Sequence, residues 1–221
     1  MAVDTLDAIA ADVRACPKCR LCESRTNACP GDGTRAAEVF FIGEGPGFYE
    51  DQQGRPFVGA AGRLLNDMLR LIDFKREDVF ITNVVRCRPP GNRDPLPDEL
   101  AACDEYTQRQ LAVLKPKLIV TLGRFSMARF FGPGTMRDLH GKTVAWNGIT
   151  CIAMYHPAAI LRAQSPALRA QYEEDFRKIP PLLEAARHPS VPPPASQPPR
   201  SPVEPVEPVR KAPPPEQPRL F

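Results

Sequence analysis

The chain has 221 residues, of which 43% are hydrophobic and 25% charged, a composition typical of a globular protein with one sizeable core. No apolar run approaches the ~18 residues of a membrane span, and the acidic N-terminal segment is unlike a secretory signal peptide, so we expect a cytoplasmic protein. The formal net charge of +3 excludes neither nucleic acids nor small molecules as partners, because a local basic surface can exist at near-zero net charge.

Apolar runs and helical periodicity alternate along the chain. Continuous runs rich in β-branched and aromatic residues predict strands at 39–43, 79–85, 118–122 and 150–155. Apolar residues at helical spacing predict helices at 59–72, 97–114, 124–131 and about 166–186. Buried strands alternating with helices indicate an α/β fold, a three-layer α/β/α sandwich around a four-stranded, mostly parallel sheet.

The last 34 residues differ in composition from the rest of the chain. Residues 188–221 contain 13 of the 27 prolines and few large apolar side chains. Such a segment has too little apolar surface to form a core. We therefore expect one folded domain over residues 1–187 and a disordered proline-rich tail over residues 188–221.

Unusual sequence follows three of the four predicted strands. GEGPG, which starts at Gly43, follows the first strand, CRPPGN follows the second, and His156 with a proline follows the fourth. Ligands of open α/β sheets bind beyond the carboxyl ends of the strands, so this pattern predicts an active site there. GEGPG is neither the dinucleotide fingerprint nor a phosphate loop, but its glycines allow the backbone to approach a flat ligand.

Three single residues near these strand ends are candidates for binding a planar base. Phe57 stands among turn residues, where an aromatic ring either stacks on a base or fills the core. Asn83 ends a buried strand, and its amide suits the Watson–Crick edge of a base. His156 either stabilises a developing oxyanion or has a structural role.

Cysteines provide a separate signal. Cys16 and Cys19 have the two-residue spacing of zinc and iron–sulfur sites alike, and Cys87 and Cys103 allow the chain to return and close a four-thiolate site. Metal binding is favoured over disulfides because the cytosol keeps thiols reduced. Cys151 lies in an apolar run and is expected to be a buried hydrophobic residue.

These motifs resemble those of the family 4 uracil-DNA glycosylases, the iron–sulfur-containing branch of the uracil-DNA glycosylase superfamily. The matching segments lie in order between Cys16 and Arg162: CPKC, FFIGEGPG, EDQQGRPFVGAAGRLL, VFITNVVRCRPPGNRDPLPDEL, Cys103, LIVTLG and MYHPAAILR. The resemblance implies a monomeric, nucleoid-associated DNA-repair enzyme. It would flip uracil out of single- or double-stranded DNA and hydrolyse the N-glycosidic bond, leaving an abasic site.

The resemblance also implies a cofactor. Four cysteines should hold a structural [4Fe–4S] cluster: Cys16, Cys19, Cys87 and Cys103. Cys22 and Cys29 form a rival ligand set with the first two cysteines, and Cys22 is an alternative to Cys19. The cluster is expected to tie the N-terminal segment to the loop after the second strand, because hydrolysis needs no electrons.

For the uracil pocket, the resemblance implies roles for five residues. Phe57 should stack on the flipped base, and Asn83 should read its polar edge. Glu44 and the backbone of Gly45 should line the pocket. Glu50 should lie near the C5 side of the base, where the methyl group of thymine must be refused.

Catalysis and DNA binding involve further residues near the same motifs. His156 should stabilise the negative charge on uracil O2, and Glu44 is a candidate for positioning the water. Leu161 and Arg162 are expected to form a wedge and a phosphate contact, unless Leu161 faces the core. Three arginines of the loop after the second strand are expected to meet phosphates, unless that loop is simply solvated: Arg86, Arg88 and Arg93.

The chain ends in a short peptide that suggests a protein partner. Gln217 is followed three and four residues later by Leu220 and Phe221, which resembles the bacterial sliding-clamp-binding peptide. Residues 188–216 would reach up to roughly 90 Å at ~3.1 Å per residue if fully extended. We expect this tail to dock the enzyme on the clamp.

Two other functions are compatible with parts of the sequence. One is a uracil-DNA-binding relative that becomes covalently trapped on its product. That branch carries a basic, His-containing insertion after the second strand, and CRPPGNRDPLPDEL contains neither an insertion nor a His. The other is a zinc or iron–sulfur binding module without catalysis, in which the glycine loops are only turns.

Overall fold

The computed structural model describes residues 4–188, in which helices alternate with short strands. The strands are β1 (Asp32–Gly33), β2 (Val39–Gly43), β3 (Phe80–Asn83), β4 (Leu118–Leu122), β5 (Thr143–Trp146) and β6 (Ile149–Met154). The helices are α1 (Leu6–Ala15), α2 (Leu21–Ser24), α3 (Phe48–Gln53), α4 (Ala60–Leu71), α5 (Pro97–Leu114), α6 (Arg124–Phe131), α7 (Met136–Leu139), α8 (Pro157–Ala163), α9 (Pro166–Arg177) and α10 (Ile179–Arg187). The predicted tail peptide lies outside the described residues.

The strands form one sheet in the order β1-β3-β2-β4-β6-β5. The four central strands are parallel, and β1 and β5 add to the two edges in antiparallel orientation. The α/β prediction is therefore confirmed, but the sheet has six strands rather than four. The sequence missed both edge strands because β1 has only two residues and β5 alternates between exposed and half-buried positions.

Helices cover both faces of the sheet. On one face α4, α8, α9 and α10 pack against alternate residues of the central strands, including Phe41 and Val120. On the other face α5 and α6 pack against the intervening residues, including Phe40 and Ile119. The single helix predicted over 166–186 is two helices that meet at Lys178. None of the helices within residues 4–188 has the length and apolar character needed to cross a membrane.

A third, smaller core attaches the N-terminal segment to α5. Ile9 and Val13 of α1 and Leu21 of α2 pack there against Tyr106 of α5. Salt bridges reinforce this attachment, since the guanidinium of Arg109 on α5 contacts the carboxylates of Asp4 and Asp12 at 2.7 Å each. The segment that carries the first cysteines is thereby held against the helix that carries Cys103.

Candidate active site

Four residues meet at the carboxyl ends of three parallel strands: Gly43, Asn83 and His156 from the strand ends and Phe57 from the loop between α3 and α4. Gly43 ends β2 and lies opposite Asn83, the last residue of β3. A Cβ atom at Gly43 would lie 2.5 Å from Phe57 Cζ and 2.6 Å from Asn83 Oδ1, so only glycine leaves room for both side chains. The ring of Phe57 stacks on His156 with centroids 5.6 Å apart. We call these four residues the strand-end site.

Phe57 has an unusual backbone conformation that the surrounding residues hold in place. Its φ of 53° lies in the left-handed region, which non-glycine residues rarely adopt. Arg76 Nη1 donates to the Phe57 carbonyl at 3.0 Å, and Asp32 fixes Arg76 by accepting from its Nε at 3.0 Å. A Cβ atom at Gly62 of α4 would lie 1.9 Å from the same carbonyl oxygen. The aromatic ring is thus positioned by a rigid loop.

Asn83 is 1% exposed, and its Oδ1 atom has no hydrogen-bond partner among the described residues. Leaving a buried acceptor unpaired costs about 1–3 kcal/mol. Buried polar groups are normally hydrogen-bonded, so such an acceptor requires a partner from ordered water or a ligand. The side chain therefore leaves one acceptor available at this edge of the sheet.

His156 caps the N-terminus of α8 through its ring. Its Nδ1 accepts a hydrogen bond from the backbone N–H of Ala158 at 3.1 Å, which places the proton of the neutral ring on Nε2. The pKa of His156 is lowered to about 4, chiefly by burial and also by the positive charge of Arg162, while the negative charge of Glu50 opposes the shift. At neutral pH the imidazole is uncharged and its Nε2–H is a donor.

Glu44 follows β2 and is partly buried beside two arginines. Burial raises the pKa of its carboxyl group, and the positive charges of Arg124 and Arg162 oppose that rise. Arg124 forms a 2.5 Å salt bridge with Asp94, whose negative charge adds to the rise. Arg124 was not predicted from the sequence, although its place directly after β4 was a signal, since that strand also ends at this edge of the sheet.

Glu50 and Asp51 of α3 both bind backbone amides. Glu50 Oε1 accepts from the N–H groups of Val58 and Gly59 at 2.8 Å each, so the predicted neighbour of the base C5 is fixed against the Phe57 loop. Asp51 is 3% exposed and its Oδ1 accepts from Thr26 N at 2.9 Å, which ties α3 to the N-terminal segment. This bracing role of Asp51 was not predicted from the sequence.

The predicted DNA contacts differ in accessibility. Leu161 is 41% exposed on α8 and does not face the core, and Arg162 beside it is exposed as well. Arg88 is partly exposed, with its guanidinium 5.2 Å from the centroid of the exposed Phe48 ring. These three residues lie on accessible surface next to the strand-end site.

The other two arginines of that loop do not fit the expected phosphate contacts. The prediction for Arg86 is wrong, because its side chain is 1% exposed beneath α5 and donates to Thr107 Oγ1 at 3.0 Å. Arg93 forms two hydrogen bonds of 2.8 and 2.6 Å to the carboxylate of Glu99, which is buried. Its guanidinium, which is 34% exposed, is thus already paired with a carboxylate of the protein.

The four predicted cluster ligands and Cys22 line one pocket between the N-terminal segment and α5, which we call the thiol pocket. It is completed by Val13, Lys18, Arg25, Arg86, Ala102 and Tyr106. Burial raises the pKa of Cys103 to about 11 and also raises the pKa of Cys19 and Cys87. Thiol donors that come together from separate chain segments fit a group that is bound through sulfur, such as an iron–sulfur cluster. Within residues 4–188, no three His, Cys, Asp or Glu side chains have the arrangement of a single-ion site.

Two further cysteines lie elsewhere. Cys29 is buried outside the thiol pocket, where its Sγ contacts the Glu50 carbonyl at 3.2 Å, and burial raises its pKa to about 12. The rival ligand set that includes Cys29 is therefore not supported, whereas Cys22 remains an alternative. Cys151 is fully buried in β6, as its apolar surroundings predicted.

Comparisons with known proteins agree with this geometry. A family model described as the Uracil DNA glycosylase superfamily matches residues 30–178. The Type-4 uracil-DNA glycosylases of Sulfurisphaera tokodaii and Saccharolobus solfataricus are each 47% identical over 187 residues, covering 80% of this chain and 84% and 86% of those proteins. That of Archaeoglobus fulgidus is 46% identical over 189 residues, covering 80% of this chain and 92% of that protein. The chain belongs to the uracil-DNA glycosylase superfamily and, within it, to the type-4 group.

Proposed function

We propose that the chain removes uracil from DNA by hydrolysing the N-glycosidic bond and leaves an abasic site for base excision repair. The observation that carries this proposal is the strand-end site, where a fixed aromatic ring, an unpaired amide oxygen and a neutral imidazole meet. Each matches one part of an extruded uracil: the flat ring, the polar edge and O2. The similarity to Type-4 uracil-DNA glycosylases over 80% of the chain supports the same activity.

Recognition of the base follows from its pattern of donors and acceptors. Extruding a base from the stack costs a few kcal/mol, least for a mispaired or single-stranded base. Asn83 Oδ1 is free to accept from uracil N3–H, while the NH2 of the same amide donates to uracil O4. Cytosine presents the opposite pattern, with an acceptor at N3 and an amino donor at the C4 position. Phe57 stacks on the uracil ring, and Glu44 and the Gly45 backbone line the pocket around the base. Glu50, fixed against the Phe57 loop, lies on the C5 side and excludes the thymine methyl group.

Bond cleavage moves negative charge onto the departing base. As the bond between N1 and C1′ breaks, its electron pair passes to N1 and O2 of uracil, and C1′ accepts the oxygen of water, which releases a proton. His156 donates from Nε2 to O2, and its Nδ1 contact with Ala158 fixes the ring for that purpose. Arg162 adds positive potential, and the carboxylate of Glu44 positions the water.

The thiol pocket would hold the proposed cofactor. Cys16, Cys19, Cys87 and Cys103 would bind a [4Fe–4S] cluster, with Cys22 as the alternative to Cys19. Bound there, the cluster supplies a covalent tie between the N-terminal segment and the loop after β3. That loop carries Arg88, and its position would depend on the tie.

The DNA-binding surface surrounds the strand-end site. Leu161 would enter the space left by the extruded base, while Arg162 and Arg88 would contact phosphates. The enzyme would act as a monomer on single- or double-stranded DNA in the cytoplasm, associated with the nucleoid.

The tail gives the enzyme a second partner. Gln217, Leu220 and Phe221 would bind a bacterial sliding clamp, and the tether would raise the local concentration of the enzyme without fixing its orientation. Titration of the full chain with purified clamp should show binding that is lost in Leu220→Ala/Phe221→Ala. Val206→Ala/Val209→Ala removes apolar groups from the same tail and should bind normally. Equal binding by both double variants would disprove the clamp contact.

A single-turnover assay tests the main activity. Oligonucleotides with one uracil or one thymine opposite guanine are incubated in EDTA and then treated with alkali to cut abasic sites. We expect cleavage at uracil only, lost in Asn83→Ala and weakened in His156→Ala. Gln108→Ala, which alters an exposed amide on α5, serves as the matched control and should retain wild-type activity. A denaturation-resistant protein–DNA adduct would instead indicate covalent trapping. If neither product nor adduct formed, the non-catalytic metal-binding module would be the function that is left.

A further inference from the structure

Arg86 is a buried cation that forms no salt bridge within residues 4–188. Its Nη2 donates to two neutral acceptors, Thr107 Oγ1 at 3.0 Å and Gln110 Oε1 at 2.9 Å. Its Nε and Nη1 atoms are buried and have no partner among the described residues. Burying an uncompensated charge has a large free-energy cost, so a fold retains one where a counter-charge is supplied.

Among the described residues that line the thiol pocket, the groups that can become negatively charged are the cysteine thiols and the Tyr106 hydroxyl. Arg86 also lines this pocket, and its backbone N–H lies 3.4 Å from Cys103 Sγ. The backbone of Arg86 thus adjoins the predicted ligands Cys87 and Cys103, which would be thiolates once they bind iron, and its buried side chain extends from there under α5. In that state the pocket itself provides the missing negative charge.

Arg25 approaches the same pocket from the N-terminal segment. Its Nη1 donates to Cys87 Sγ at 3.2 Å and to the Cys16 carbonyl at 3.0 Å, and its Nη2 donates to the Arg14 carbonyl at 2.8 Å. None of these three partners is a carboxylate: one is a sulfur atom and two are neutral carbonyl groups. The two arginines therefore reach the thiol pocket from different chain segments. Arg25 contacts the predicted ligand Cys87 through its side chain, and Arg86 contacts Cys103 through its backbone N–H.

We propose that Arg25 and Arg86 are the counter-charges that hold the iron–sulfur cluster in its resting oxidation state. An oxidised [4Fe–4S] core bound by four thiolates carries a net charge of about −2, which two guanidinium groups neutralise. Removing one positive charge makes loss of an electron easier, and over-oxidised clusters release iron. This inference rests on the proposed cofactor, and it gives Arg86 an electrostatic role at the cluster in place of the phosphate contact predicted from the sequence.

The test uses the full-length protein purified with its cluster and distinguishes the positive charge of the arginine side chains from their shape. Iron and sulfide are quantified, and bleaching of the visible absorbance by ferricyanide is followed over time. We expect Arg86→Met and Arg25→Gln to bleach at least about tenfold faster than wild type. Arg86→Lys, which keeps the charge, should stay within about twofold. Arg35→Gln removes an exposed arginine that pairs with Asp7 and is the matched control for loss of one positive charge.

The possible outcomes separate the inference from the cofactor on which it rests. Bleaching of Arg86→Met at the wild-type rate would overturn the inference, as would equal loss of iron from Arg86→Met and Arg86→Lys, since shape rather than charge would then be required. If Arg86→Met lacks iron while Arg86→Lys retains the wild-type amount, the charge requirement is established. Wild-type protein without iron and sulfide would refute the cluster itself, and uracil excision measured in parallel would show whether the enzymatic activity stands without it.

Discussion

Acidification of the free enzyme should leave His156 neutral well below the pH at which an ordinary histidine is charged. Burial lowers its pKa from 6.5 to about 4, helped by Arg162. At pH 5.5 about 3% of the His156 side chains would be protonated, against about 90% for an unperturbed imidazole. The lowered pKa corresponds to a free-energy penalty of about 3 kcal/mol for the charged ring in the folded protein. The unfolded chain binds this proton below pH 6.5, so the resulting stability is present above pH 6.5 and is lost as the pH falls towards 4.

Nuclear magnetic resonance of histidine-labelled protein measures this titration directly. The chain has only three histidines, so single substitutions of His140, His156 and His188 by Gln assign every signal. We expect the His156 signal to remain that of the Nε2–H tautomer from pH 8 to pH 5.5. A midpoint near 6.5 for this signal would refute the reasoning, because the donor in the mechanism would then be an imidazolium over much of that range.

Three substitutions test other parts of the site. Gly43→Ala should slow uracil excision about 100-fold in a single-turnover assay while the far-ultraviolet spectrum stays unchanged, because the new Cβ displaces Phe57 by about 1 Å; wild-type rates would contradict the close packing. Leu161→Ala should slow excision from a U:A duplex at least ~10-fold more than from single strands, since only a duplex needs a wedge; equal slowing would argue against that role. Asp51→Ala should lower the free energy of unfolding in urea by about 1–3 kcal/mol, because Thr26 N–H loses its acceptor. An unchanged midpoint of the urea transition would contradict the bracing role of Asp51.

The sequence predicts the central elements of this fold well because they bury continuous apolar runs. The strands at 39–43 and 118–122 and the helices at 97–114 and 124–131 match the structure at both ends. The predicted helix over 166–186 is wrong in one respect. It is interrupted at Lys178, after which two consecutive prolines open α10, and proline lacks the N–H that a helix interior requires.

The sequence predicted which residues lie at the site better than it predicted the burial and contacts of their side chains. Residue types at the strand ends identified Gly43, Asn83 and His156, since the carboxyl ends of parallel strands meet at one edge. Arg86 was misplaced because a basic residue in a loop sequence is typically solvated, whereas this backbone remains under α5. That position depends on packing between segments far apart in the sequence, which local patterns do not report.

The last described helix determines where the rest of the chain leaves the enzyme. Arg187 at the end of α10 forms a salt bridge with Glu38, the residue directly before β2. That contact lies at the amino edge of the sheet, about 16 Å along β2 from Gly43 at ~3.3 Å per residue. The last described residues therefore lie at the back of the catalytic domain, and a partner that bound there would leave the uracil-binding edge free to face the duplex.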